Sequence, residues 1–168
     1  MTKTVVKKVL FICFLVLSVV WVGFIFSNSI DNGTESGEKS SAVTEAINEG
    51  LAAVGVEKPV TERDVRTAAH FSEFLVLAAL LSPALLLCPL SDKLKKPLYS
   101  LIPILSVPVC FLIACIDEFI QSFSPGRAMQ FSDVLVDTLG ALCSAVIFTL
   151  VCLAVTLISS KKRKKLGN

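Results

Sequence analysis

Nine side chains in this sequence carry charge or hydrogen-bonding capacity and stand beside or inside long apolar runs: Arg66, His70, Glu73, Asp117, Glu118, Gln121, Arg127, Asp133 and Asp137. Their spacing is regular. Arg66, His70 and Glu73 lie four and three residues apart, which places them on one face of a helix. Asp117 and Gln121 are four apart, with Glu118 beside them. Asp133 and Asp137 are also four apart, and Gly140 and Ser144 continue the same face. Guanidinium groups bind anionic oxygen through forked hydrogen bonds, and acids nearby hold them in place. His70 could act as a general base oriented by Glu73 or Asp137. A metal held by His70, Glu73 and an aspartate is conceivable, but no ligand motif of the HExxH kind accompanies it. No catalytic residue, metal or cofactor is therefore expected. Two readings of the cluster stay open at this level: a network that sets helix register, and a pocket that binds a polar ligand. Ionisable groups within membrane spans are functional suspects by default.

The elements that must position these groups are apolar. Hydrophobic residues make up 54% of the 168, and the mean hydropathy is +0.74. Both exceed what a soluble core usually hides, since globular domains are about 45–50% apolar. A net charge of +2 gives no footprint for nucleic acid. Four runs reach the length of about 20 residues that a bilayer requires: 9–26, 68–90, 97–116 and 134–159. The first follows Lys3, Lys7 and Lys8, as a signal peptide would. It is longer than the usual h-region and has no clean cleavage site, so it is expected to remain as a helix. Cys13, Cys88, Cys110, Cys115, Cys143 and Cys152 all fall in apolar runs, at no zinc-like spacing, and read as small hydrophobes.

The lysines orient the spans. Lys3, Lys7 and Lys8, then Lys93, Lys95 and Lys96, then Lys161, Lys162, Arg163, Lys164 and Lys165 hold eleven of the 16 basic residues. Four spans place all three groups on one side, which the positive-inside rule makes cytoplasmic. The expected fold is an all-α membrane protein, a single domain over 1–168. It is a bundle of four transmembrane helices with both termini in the cytoplasm and outer loops at 27–66 and 117–133. In the first outer loop, 27–33 reads as irregular. Val43, Ile47, Leu51 and Val54 recur at helical spacing, predicting a short amphipathic helix packed on the protein. Thr61 is its successor's expected N-cap. Pro83, Pro103 and Pro108 are expected to kink the second and third spans. This topology collects all nine polar residues at the outer membrane face, with Arg66 and Arg127 as the expected partners of the acids.

The segments that carry these residues resemble the VanZ-like family, named for a protein of glycopeptide-resistance clusters in Gram-positive bacteria. The first is Trp21-Val22-Gly23-Phe24-Ile25-Phe26-Ser27-Asn28-Ser29. The second is Arg66-Thr67-Ala68-Ala69-His70-Phe71-Ser72-Glu73-Phe74, with Thr67 and Phe74 where the family often has lysine and tyrosine. The third is a D-E-x-x-Q-x-x-x-P-G-R-x-x-x-x-x-D-x-x-x-D-x-x-G block, here Asp117, Glu118, Gln121, Pro125, Gly126, Arg127, Asp133, Asp137 and Gly140. The resemblance implies a small multi-pass protein of the bacterial plasma membrane with its signature residues outside, and an association with teicoplanin resistance. The leading expectation is a non-enzymatic protein that contacts membrane lipids and engages an anionic or lipid-linked envelope component. The alternatives are an intramembrane enzyme acting on a lipid-linked substrate, and an accessory subunit that docks a membrane protein partner.

Overall fold

In the computed structural model, residues 2–166 are described, with the side chains of Lys96, Pro97 and residues 162–166 outside that description. Much of the expected third basic cluster, from Lys162 onward, thus lies outside the described side chains. The chain is helical throughout its ordered elements: α1 (Lys3–Ile30), α2 (Gly33–Ala53), α3 (Glu62–Leu87), a short α4 (Lys96–Tyr99), α5 (Ser106–Gln121) and α6 (Phe131–Leu166). Two 3-10 turns, Pro89–Lys93 and Ile102–Leu105, flank α4. Among the described residues, four helical segments are long and apolar enough to cross a membrane: Lys3–Ile30, Glu62–Leu87, Ile102–Gln121 and Phe131–Lys161.

The four spans agree with the expected four in number and order, but their ends differ in an informative way. The third was expected over 97–116. A helix running from 97 would need N–H groups at 103 and 108 for its i→i−4 bonds, and Pro103 and Pro108 have none; regular α-helix therefore begins only at Ser106, with Pro108 in its first turn, and is preceded by the Ile102–Leu105 turn. At its other end it runs past Ile116 to Gln121, because Asp117, Glu118 and Gln121 are buried in the bundle. These three are therefore span residues, not loop residues. Likewise Asn28 and Ser29 belong to the last turns of α1, where an irregular stretch was expected, and Arg66 lies inside α3.

α3 starts with a capping box: Asp64 N–H donates to Thr61 Oγ1, and Thr61 N–H donates to Asp64 Oδ2. Pro83 sits within it. The α2 helix is longer than expected, and Asn32 caps it by accepting from Glu35 N–H at 2.9 Å. α2 leans on α3, and Asn48 ties it to the following linker by bonding both the N–H and the C=O of Val60. Its apolar stripe is only partly covered. Val43 and Ile47 remain exposed and Thr44 is the buried residue, so the expected packing of that stripe is not what holds α2.

The core is built where spans cross. Ile25 of α1, Phe74, Leu77 and Ala78 of α3, Cys110 and Ala114 of α5, and Val134 and Ala141 of α6 form one buried cluster. Small residues permit close approach between spans. Gly140 is the extreme case: a Cβ there would fall 2.2 Å from the Phe71 carbonyl oxygen on α3. The outward surfaces of α1 and α6 are rows of exposed valine, leucine and isoleucine, the composition that lipid contact requires. All six cysteines are free.

The two ends of the bundle differ in chemistry. At one end Lys7 of α1 pairs with Asp92, and Ser100 meets Thr156 of α6 at 3.2 Å. The start of α1 and the far part of α6 therefore share this end. At the opposite end the α1–α2 turn is backed onto the α5–α6 loop. Gly33 N–H donates to the Pro125 carbonyl at 2.9 Å, and a Cβ on Gly33 would meet Gly126 O at 2.9 Å. Gly126 itself has φ +78°, a conformation that glycine adopts freely.

Candidate functional site

All nine residues singled out in the sequence come together at this second end, on three spans and one loop. α3 contributes Arg66, His70 and Glu73; α5 contributes Asp117, Glu118 and Gln121; α6 contributes Asp133 and Asp137; the loop contributes Arg127. Asp117, Glu118, Gln121 and Asp137 are sealed from solvent, at 1% exposure or less. His70 and Glu73 are half-buried beside them, and Arg66, Arg127 and Asp133 form the rim.

The internal pairing differs from expectation. Arg66 and Arg127 were the expected partners of the acids, yet among the described residues no arginine–carboxylate ion pair occurs. The acids are instead held by neutral donors. Ser29 Oγ donates to Asp117 Oδ1 at 2.6 Å. Asn28 Nδ2 donates to Glu73 Oε1 at 2.8 Å, and Gln130 N–H donates to Glu118 Oε2 at 2.7 Å. Asp137 Oδ1 stands 3.3 Å from His70 Nδ1, an ion-pair distance without the alignment of a hydrogen bond. Arg127 donates to the Asn28 carbonyl at 3.1 Å, capping the end of α1. Ser124 Oγ does the same for the Ser29 and Ile30 carbonyls. Helix ends carry unpaired carbonyls that need such partners.

Asn28 and Ser29 were not among the expected site residues. A signal for them existed: Ser18, Ile25 and Ser29 are spaced seven and four apart on one face of α1, and all three are buried. The same side of the helix supplies Trp21, whose indole N–H reaches the Glu73 carbonyl at 2.9 Å. Reading residues 27–33 as a turn hid that periodicity.

Above the buried acids lies an open cleft of about 230 Å³, bordered by Asn28, Arg66, His70, Glu73 and Arg127, with Lys39 at its edge. Two neighbouring clefts also border on Arg66. One runs toward Asp133 and Gln130, the other toward Gln121 and Arg127. Burial, and then the nearby Arg66 guanidinium, hold the Arg127 guanidinium below its usual pKa. Two like charges thus face one space. For a metal, the relevant geometry is deeper: one ligand atom each from His70, Asp117 and Glu118 lies within 4.8 Å of the others.

Comparison with known proteins adds the family. The VanZ/LLP1 family model matches residues 14–153, from within α1 to within α6. The chain belongs to the VanZ/LLP1 family. No curated protein and no solved structure matches it. The matched stretch contains every residue of the site, so the VanZ/LLP1 region and the polar end of the bundle coincide. Four apolar spans and family membership together make this a VanZ-like multi-pass membrane protein.

Proposed function

We propose that the cleft between Arg66 and Arg127 binds an anionic group of a cell-envelope component, such as the phosphate of a lipid-linked precursor. The observation that carries this reading is the pair of guanidinium groups on one cleft, neither ion-paired with a carboxylate among the described residues. Two cations that repel one another are relieved by an anion between them, and guanidinium forks match phosphate geometry. The buried acids below set the positions of α1, α3, α5 and α6 around the cleft. In this reading the polar end faces outward, since the lysine-rich end is the cytoplasmic one. The protein then acts at the outer surface of a bacterial plasma membrane, where engagement of an envelope component would alter glycopeptide access and support teicoplanin-type resistance.

The test compares wild type with Arg66→Ala and Arg127→Ala at matched abundance. Binding of a polyprenyl-phosphate lipid to the purified protein should fall at least tenfold in each variant, with the neutral polyprenol bound weakly by all three. Teicoplanin susceptibility of cells expressing the variants should move toward that of cells lacking the protein. Equal binding of the charged and neutral lipids by wild type would refute the reading.

A second reading rests on the His70–Asp137 pair at 3.3 Å, an arrangement able to move a proton on a lipid-linked substrate. Turnover of labelled envelope lipids that disappears in His70→Gln would favour it over simple binding.

A further inference from the structure

Next to His70, which borders the cleft, buried carboxyl groups outnumber the cations among them. Asp117, Glu118 and Asp137 are sealed from solvent, and the neighbouring imidazole of His70 supplies one positive charge at most. Isolated carboxylates in a low-dielectric interior are costly unless paired, neutralised by a proton or bound to metal. Neutral donors reach one oxygen of Asp117 and one of Glu118, and neither oxygen of Asp137. Asp117 Oδ1 is held by Ser29 and Glu118 Oε2 by Gln130 N–H. Asp117 Oδ2 and Glu118 Oε1 are buried without a partner among the described residues.

That asymmetry has a specific chemical meaning. A carboxylate that ligates a metal through one oxygen is commonly fixed by a hydrogen bond to the other, and a ligating histidine has a carboxylate at its second nitrogen. The first feature occurs here, and the second is present as proximity without hydrogen-bond alignment. Each of the two acids has one oxygen tied and one free, and Asp137 stands at His70 Nδ1, 3.3 Å away. The other ring nitrogen is thereby left for an ion. One donor atom from each of His70, Asp117 and Glu118 already lies within 4.8 Å of the others. Around a single ion, ligands at about 2.0–2.2 Å are separated by no more than about 4.4 Å, so a small rotation of side chains closes the set.

We propose that His70, Asp117 and Glu118 bind one divalent cation of the zinc or manganese class, with Asp137, Ser29 and the Gln130 N–H as positioning groups. One imidazole nitrogen with two carboxylate oxygens suits these ions better than magnesium or calcium, which favour all-oxygen shells. The site departs from the sequence-based expectation of no metal. The reason is that its ligands come from α3 and α5, so no local motif announces them. Neither Arg66 nor Arg127 belongs to the ligand set, and His70 is the residue this site shares with the border of the arginine cleft.

The experiment uses full-length protein in detergent, stripped with chelator and then dialysed separately against Zn²⁺, Mn²⁺ and Mg²⁺. Metal content is measured by mass spectrometry, and thermal unfolding is followed in parallel. Wild type and Arg66→Ala should retain about one zinc or manganese per chain and unfold at a higher temperature when loaded. His70→Gln, and Asp117→Asn with Glu118→Gln, should lose the ion. Asp137→Asn should weaken binding about 10–100-fold, the usual cost of losing such a positioning carboxylate. Because wild type alone can decide the matter, ligand variants that fail to fold do not protect the proposal. Failure of wild type to retain zinc or manganese at micromolar concentration would overturn it. So would retention of the ion, with unchanged affinity, by folded ligand variants. Loss of ion binding with intact lipid-phosphate binding would separate this site from the arginine cleft.

Discussion

The contact between Gly140 and Phe71 permits a prediction whose sign is opposite to helix propensity. In Gly140→Ala the new methyl would be 2.2 Å from the Phe71 carbonyl oxygen, and 3.1 Å and 3.2 Å from Phe71 C and Leu75 N. All three are backbone atoms of α3, so no side chain can swing aside. Ordinary contact starts near 3.4 Å, and α3 and α6 would have to part by about 1.2 Å. Overpacking of a rigid contact costs up to about 3 kcal/mol. Alanine recovers about 1 kcal/mol of helix propensity, leaving a net loss of about 2 kcal/mol. For a chain of this size that corresponds to a fall in Tm of roughly 4–8 °C.

Gly23→Ala is the matched control, because a Cβ at Gly23 meets nothing within 4 Å. It should be neutral or raise Tm by a few degrees, through propensity alone. The assay is thermal unfolding of the purified proteins in one detergent, read by tryptophan fluorescence or by loss of monodisperse protein. Because Asp137 lies one turn before Gly140 on the same face, Gly140→Ala should also disturb the His70–Asp137 pair and weaken whatever the site binds. A Gly140→Ala protein as stable as Gly23→Ala would refute the close crossing of α3 and α6, and with it the burial of Asp137.

Three further outcomes follow from single contacts. Ser29→Ala removes the hydroxyl that donates to buried Asp117; stability should fall by about 1–3 kcal/mol, with Ser29→Thr retaining more of it, as measured by the same thermal unfolding. Asn48→Ala frees both backbone groups of Val60; limited proteolysis should then cut the 54–60 linker faster at unchanged global Tm, and an unchanged cleavage rate would show that the bonds do not hold the linker. With the lysine-rich end cytoplasmic, a C-terminal green fluorescent protein fusion should fluoresce and a C-terminal alkaline phosphatase fusion should be inactive; the reverse pattern would invert the topology and move the polar site to the inner face.

The number of spans was legible because length and hydropathy act locally: a run of about 20 apolar residues has few other uses. The grouping of the polar residues was legible for a related reason. Spans alternate in direction, so a group at the end of one helix and the start of the next must share a membrane face. Pairing was not legible, because it depends on the rotation of each helix about its axis, which charge patterns leave open. The expected arginine–acid pairs illustrate this. In the sequence Arg127 lies between two acids, Glu118 and Asp133, yet its guanidinium serves the Asn28 carbonyl, and Glu118 is served by a backbone N–H. Span ends failed in the same direction at four places, α1, α3, α5 and α6, each time because polar residues were read as leaving the membrane. Asn28, Arg66, Asp117, Gln121 and Asp133 instead continue their helices, because bundle partners and the clefts replace the water they would otherwise need. Polar side chains at the end of a span thus carry two meanings that local hydropathy does not separate. What separates them is the face they occupy: Ser29 continues the buried row of Ser18 and Ile25, and Gln121 that of Ala114 and Asp117. Helical periodicity carried past the apolar limit, not the limit itself, locates the site.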